Sequence, residues 1–188
     1  LIGVEITESN TDILLVGDTG KAIRFKEDDV RAMGRNATGV RGIKLAEGQQ
    51  VVSLFTIKEN MSSTDVLVAT ENGYGKRTEV EEFSAQNRGG SGVIAIQTSD
   101  RNGSAIGAVQ VTDDDEIMLI TNGGVLVRTP VDQVSVTGRN TQGVRLIKLG
   151  KGELLCQVER IASMGEDEDD ELQDENGDDA SDAEESAE

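Results

Sequence analysis

Apolar residues in this chain come in short runs separated by polar and glycine-rich turns, and the runs return with a fixed period. Asp12-Ile13-Leu14-Leu15-Val16 recurs as Asp65-Val66-Leu67-Val68-Ala69 and as Glu116-Ile117-Met118-Leu119-Ile120. A turn follows each run, at Thr19-Gly20, Asn72-Gly73 and Asn122-Gly123. Next comes a run holding one arginine, at Arg24, Arg77 and Arg128, and then a glycine-led run at Gly39-Val40, Gly92-Val93 and Gly143-Val144. Arginines and glycines both step by 53 and then 51 residues. A period of this size denotes an array of supersecondary units, none of which buries its apolar face alone.

The runs read as strands. Val51-Val52-Ser53-Leu54-Phe55-Thr56-Ile57 is β-branched and aromatic, and helical i, i+3, i+4 stripes are weak throughout. Asn72-Gly73 and Asn122-Gly123 are hairpin signals of the type I′ kind, which needs positive φ at both central residues. The first unit is expected to have four strands, over residues 13–16, 21–25, 40–45 and 51–57. A longer connection, 26–39, holds a short helical turn near Asp28-Asp29-Val30-Arg31.

Four strands per unit predict an all-β, propeller-like array of four-stranded blades. The runs at 40–45 and 144–149 do not alternate strictly, as expected of strands covered on both faces by neighbouring blades. Val30, Phe83 and Val134 recur as apolar plugs fixing each long connection to its blade. With 2% aromatic residues and no Trp, the WD signature is missing and an ordinary WD40 scaffold is not expected. The expected divisions are 12–64, 65–115 and 116–161 as blades. Residues 1–11 are read as the last strand of an upstream blade, because Leu1-Ile2-Gly3-Val4-Glu5-Ile6-Thr7 resembles Ile106-Gly107-Ala108-Val109-Gln110-Val111-Thr112. The chain therefore reads as a C-terminal fragment whose upstream repeats have been cut away.

Charge changes the picture at one end. The net charge is -18, yet residues 162–188 hold 14 of the 36 acidic residues and none of the 18 basic ones. This leaves a near-neutral body of 22 acids against 18 bases. The tail has almost no large apolar residues and is expected to be disordered. One cysteine excludes an internal disulfide framework, and Cys156, in Leu154-Leu155-Cys156, is expected to be a small core residue. No run approaches the roughly 18 apolar residues of a membrane-spanning helix, and the lone cysteine fits a reducing compartment, the expected location being cytoplasmic.

The bases recur with the repeats. Arg35 and Arg139 lie in Gly34-Arg35-Asn36-Ala37-Thr38-Gly39 and Gly138-Arg139-Asn140-Thr141-Gln142-Gly143, and the middle unit has Gln86-Asn87-Arg88-Gly89-Gly90-Ser91-Gly92 there. Arg41 and Lys44 are matched by Arg145 and Lys148, with Ile94 and Gln97 at these places in the middle unit. Repetition sets such residues along one rim. Arginine forks and glycine-rich turns suit phosphate oxygens. No recognition helix or aromatic platform for base readout is apparent, so binding would be sequence-tolerant and salt-dependent. Solvated pairing with Glu27, Asp28, Asp29, Glu79, Glu81, Glu82 and Asp132 is the competing reading. On the residues alone, a polyanion and a protein partner both stay open.

Residues 30–45, Thr70-Glu71-Asn72-Gly73-Tyr74-Gly75-Lys76-Arg77-Thr78 and residues 136–144 strongly resemble the C-terminal DNA-wrapping domain of the DNA gyrase A subunit. The likeness covers residues 1–161 and corresponds to its last three blades plus acidic tail. It implies a β-pinwheel with strands exchanged between blades and duplex DNA wrapped non-specifically on a basic rim. That wrap supports ATP-dependent negative supercoiling by a bacterial, nucleoid-associated type II topoisomerase. It also implies a breakage-reunion domain and the gyrase B subunit, in a heterotetramer, as partners. The expected DNA-backbone contacts are Arg35, Arg41, Lys44, Lys76, Arg77, Arg88, Arg128, Arg139, Arg145 and Lys148, with Arg24 bracing a blade. Gln86–Gly92 looks like a relative of the family's Gln-Arg-Arg-Gly-Gly-x-Gly motif, with Asn87 in place of its first arginine.

No catalytic site, metal or cofactor is expected within this chain; ATP and Mg belong to the parent enzyme. There is no histidine, HExxH, CxxC or Walker-type loop, and Tyr74, the only tyrosine, sits at a hairpin turn. The alternatives are the corresponding domain of the topoisomerase IV A subunit and a protein-interaction propeller. The tail is expected either to compete with DNA for the rim, as a tethered polyanion, or only to solubilise the chain.

Overall fold

Paired apolar runs about a glycine turn build three antiparallel hairpins, on which the rest of the fold is arranged. The computed structural model describes residues 1–58 and 64–162. β1 (Thr11–Gly17) pairs with β2 (Lys21–Lys26), β4 (Asp65–Thr70) with β5 (Tyr74–Glu79), and β8 (Glu116–Thr121) with β9 (Leu126–Pro130). The registers put Arg24 opposite Leu14, Arg77 opposite Leu67 and Arg128 opposite Met118.

Each hairpin turn closes through a glycine N–H donating to the carbonyl three residues back: Gly20 to Gly17, Gly73 to Thr70, and Gly124 to Thr121. These glycines have φ of 75°, 79° and 79°, whereas Asn72 and Asn122 stay at negative φ. The turns are thus not type I′. One left-handed residue follows a type I turn, so one glycine suffices. In the third unit that glycine is Gly124 rather than Gly123.

A third strand lies on the far side of each hairpin. β3 (Val51–Lys58) pairs with β1, β7 (Ala105–Val111) with β4, and β11 (Leu155–Ile161) with β8. The fourth strand comes from the next unit. β6 (Val93–Ile94) adds to β2 and β10 (Val144–Arg145) adds to β5, giving sheet orders β3-β1-β2-β6 and β10-β5-β4-β7. The third sheet, β11-β8-β9, has three strands, and among the described residues nothing pairs with the outer edge of β9.

Residues 40–45, expected as a strand, form none. A strand at this place in the repeat pairs with the β2-type edge of a preceding blade, and no such edge exists among the described residues. Ile43 packs instead against Leu15, Ile23 and Phe25. The segment also exchanges backbone bonds with the second unit: Lys44 N–H donates to Gly90, and Gly89 N–H to Gly42. Residues 1–8 also form no strand; residues 2–5 line a cleft shared with β3, β7 and β11.

Burial follows the stacking of blades. Leu14, Val16, Ala22 and Ile57 pack on Val66, Val68, Phe83 and Ile96 between the first two sheets. Leu67, Ala69 and Val111 pack on Ile117, Leu119, Val134 and Leu155 between the second and third. β4 is therefore buried on both faces, which is why its apolar run is unbroken. Single 3₁₀ turns at Glu27–Asp29, Val80–Glu82 and Val131–Gln133 open the long connections. The residue after each is a plug: Phe83 and Val134 are buried, and Val30 packs beside Phe25. Cys156 is exposed rather than in the core, because the β11–β8 register shifts between Leu155 and Gln157 and turns it outward. The tail, residues 162–188, lies outside the described residues from residue 163 onward, so the readings made for it are not addressed by the structure.

Candidate nucleic-acid interface

Basic residues reach the outer edges of the blades on the loops that lead into the exchanged strands, at Arg88 and Arg139, and on β10 itself, at Arg145. On the first sheet, the loop leading into β6 meets residues 41–44, and Arg88 ties the two. Its Nη1 donates to the Arg41 carbonyl and its Nε to the Asp29 carbonyl at 3.2 Å. The side chains of Arg41 and Lys44 remain exposed beside it. Arg35 is exposed on the preceding connection.

On the second sheet, residues 137–143 and β10 repeat this arrangement. Arg139 reaches back to the first sheet, donating from Nη1 to the Ile94 carbonyl at 3.3 Å, while its backbone N–H donates to the Glu82 carboxylate at 3.1 Å. An open cleft of about 700 Å³ lies here, lined by Lys21, Ile94, Arg139, Asn140 and Thr141 among others. Arg145 sits opposite Tyr74 at the outer strand pair, and Lys148 is exposed beyond it. Asn102, fully buried, fastens the units by donating from Nδ2 to the Gln97 and Gln142 carbonyls.

Two of the ten expected contacts are interior groups. Lys76 has no exposed surface, and its Nζ donates to the Gly138 and Arg139 carbonyls at 2.5 Å each. Burial pushes its ammonium down to about 8, against the opposing pull of the Glu82 carboxylate. Arg77 is 6% exposed, bonded to the Val134 carbonyl and paired with Asp65 and Asp113. Neither side chain is presented to an external phosphate; both hold the third unit's connection onto β5.

Arg24 does the same one blade earlier, bonding Asp12 at 2.6 Å and the Val80 and Phe83 carbonyls at 3.3 Å. Arg128, at the same repeat position, is largely exposed and pairs with Glu116. It stands on β9, apart from the clusters built around β6 and β10. The structure thus gathers Arg41, Lys44 and Arg88 in one group and Arg139, Arg145 and Lys148 in the next.

Three residues joined to these groups were not expected from sequence. Lys21 and Tyr74 share one repeat position, directly after the turn glycine, where a repeat alignment exposes them. Arg101 has no counterpart in the other units and meets Tyr74 only through folding, with its Cζ 4.8 Å from the ring centroid. Among the described residues no group of His, Cys, Asp or Glu converges as metal ligands, and no helix is long and apolar enough to cross a membrane. The chemistry on offer is a set of hydrogen-bond donors with positive charge, suited to an extended anion.

Comparison with known proteins bears on this arrangement. A family described as "DNA gyrase C-terminal domain, beta-propeller" matches residues 11–58, 64–112 and 115–161. The DNA gyrase A subunit of Klebsiella oxytoca is 52% identical over 168 residues, 89% of this chain and 19% of that protein. Its Pseudomonas aeruginosa counterpart is 52% identical over 171 residues, covering 90% and 18%. This chain spans about a fifth of the length of these relatives. A solved DNA gyrase A C-terminal domain aligns with TM-score 0.75 and 30% identity, covering 84% of this chain and 52% of that one. A topoisomerase IV C-terminal domain aligns with TM-score 0.78 and 27% identity, covering 85% and 49%. With its three repeats matched in full sequence order and its strands exchanged between blades, this chain belongs to the DNA gyrase C-terminal domain family of β-pinwheels.

Proposed function

We propose that this chain binds duplex DNA without sequence preference and bends it along the outer edges of its blades, as part of a DNA gyrase A subunit. The observation that carries this is the grouping of exposed bases along the outer edges of successive blades. The second sheet's edge receives Arg139, Arg145 and Lys148 with the third unit's loop and strand, and the first sheet's edge receives Arg88 with the second unit's loop, beside which the first unit's own Arg41 and Lys44 stand exposed. These groups recur with the blades, so successive phosphates of one duplex meet successive clusters. The repeated contacts give affinity without reading bases. Arg35 and Arg139 extend the same surface.

In the whole enzyme, we infer, such a wrap fixes the handedness of the segment delivered to a breakage-reunion domain. ATP hydrolysis with Mg, and the gyrase B subunit in a heterotetramer, would complete negative supercoiling in the bacterial cytoplasm at the nucleoid. This chain supplies the wrapping surface and no bond-breaking chemistry. The topoisomerase IV domain is the second reading, supported by its comparable superposition; the higher sequence identities lie with gyrase subunits.

Fluorescence anisotropy of a labelled duplex across a salt series tests the proposal. If the six bases Arg35, Arg41, Lys44, Arg139, Arg145 and Lys148 each neutralise one phosphate, log K falls with log salt with a slope of about -5. Two duplexes of unrelated sequence should give the same affinity. Binding of an acidic protein but no duplex at low salt would point to the protein-interaction reading instead.

A further inference from the structure

Tyr74, Arg101 and Arg145 come from three different elements and meet at one point on the outer edge of the second sheet. Tyr74 opens β5, Arg145 faces it from β10, and Arg101 lies in the turn between β6 and β7. The guanidinium carbons stand 4.8 Å (Arg101) and 5.6 Å (Arg145) from the ring centroid. Arg145 Nη2 also donates to the phenol oxygen at 3.2 Å. Neither arginine forms an ion pair among the described residues, whereas Arg24, Arg77, Arg128, Arg139 and Arg160 each have a carboxylate. Two like charges held on one ring repel unless an anion joins them.

The cluster is also fixed in advance. Asn72 Nδ2 donates to the Asp100 and Arg101 carbonyls at 3.2 and 3.3 Å, and buried Asn102 accepts from Ser99 and donates to Gln97 and Gln142. The register of β10 on β5 sets Arg145. The phenol itself registers the positive surroundings: hydrogen bonds from Arg145 and then Arg101 lower its ionisation below the ordinary tyrosine range.

We propose that Tyr74, Arg101 and Arg145 form a binding site for one phosphodiester group of the DNA backbone, the ring holding two guanidinium forks on the same phosphate. The proposal rests on the DNA-binding reading above and adds a specific contact to it. Two forks offer parallel N–H donors to both non-bridging oxygens, and the phenol hydroxyl offers a third donor. The aromatic face holds the arginines by cation–π attraction while leaving their outer edges free.

Tyr74 is the only tyrosine and there is no Trp, so the full chain labelled with 3-fluorotyrosine gives one fluorine NMR signal, from this site. Duplex DNA should shift that signal in the wild type, and Arg101→Gln and Arg145→Gln should each lower the magnitude of the salt slope by about 1. Tyr74→Phe, which keeps the ring, should retain most of the slope. Tyr74→Leu should lose as much as an arginine variant while keeping a native circular dichroism spectrum. Inorganic phosphate, against chloride at equal ionic strength, separates the sources. A shift with phosphate and duplex assigns a general phosphate site, and a shift with duplex alone assigns a polymer site. The proposal is overturned if the wild type binds duplex steeply while both arginine variants keep the full slope, or if saturating duplex leaves the fluorine signal unmoved. Should the wild type bind no duplex, the DNA reading fails; a phosphate-induced shift abolished in Arg101→Gln would then still support the site, and its absence would overturn it.

Discussion

Lys76→Met isolates the energetics of a charge placed inside a blade. The ammonium sits fully buried between two carbonyls at 2.5 Å, on the loop that presents Arg139. Its folded pKa is about 8 against an ordinary 10.5. Below pH 8 both folded and unfolded chains carry the proton, and the folded chain bears the cost of burying it. Between about 8 and 10.5 the unfolded chain still binds the proton while the folded chain has lost it, so stability rises with pH. The full span of that gain is about 3 kcal/mol, from a pKa lowered by about 2.5 at 1.36 kcal/mol for each pH unit. The neutral amine keeps two N–H donors, so both carbonyls stay satisfied across the transition. Methionine has neither the charge nor the donors. At pH 7 the variant forfeits two charge-assisted bonds but is relieved of the burial cost, so it is destabilised by only about 1–3 kcal/mol. Urea unfolding followed by circular dichroism, at pH 7, 8, 9 and 10, measures both proteins. The stability gap should widen with pH, by about 2.5 kcal/mol between pH 7 and 10. A gap constant over that range, or one that narrows, refutes the reasoning.

The same repeat position behaves differently in different blades. Arg77→Met should cost about 3–5 kcal/mol in thermal unfolding, because it strands the Asp65 carboxylate, whereas Arg128→Met, at an exposed pair, should cost less than about 1 kcal/mol. Gly73→Ala and Gly124→Ala both strain a φ of +79°, but a methyl at Gly73 meets the Ile147 carbonyl at 2.7 Å while nothing lies within 4 Å at Gly124. Chemical denaturation should therefore show a loss of about 1 kcal/mol at Gly124 and clearly more at Gly73. Deleting residues 162–188, which carry 14 carboxylates, should tighten duplex binding at low salt if the tail competes for the rim; equal anisotropy titrations would leave the tail a solubilising role.

The blade count, the period and the strand content were legible because each unit repeats its apolar runs. Strand exchange entered only through the family resemblance, since a two-residue strand such as β6 carries no periodicity of its own. Residues 40–45 show the limit of local reading. Their sequence matches 93–98 and 144–149, yet they form no strand, because pairing depends on a neighbour's edge. Part of the proposed basic rim was legible for the same reason. Recurrence marks Arg41, Lys44, Arg145 and Lys148, but it also marks Arg77, which is buried under the next unit's loop. Lys76 has apolar counterparts in the other blades, Ile23 and Val127, and that pattern does signal an interior position. Arg101 carries no signal at all, because its meeting with Tyr74 is made by tertiary contact.

The central claim is that the outer edges of the blades form a phosphate-binding rim, and the quadruple variant Arg41→Gln, Lys44→Gln, Arg145→Gln, Lys148→Gln tests it most directly. All four side chains are exposed, so folding should be retained, as circular dichroism would verify. Duplex binding across a salt series should show the slope falling in magnitude by about 3 to 4 relative to the wild type. An unchanged slope and affinity in the folded variant would place the contact with DNA, if any, elsewhere on the chain and contradict the account.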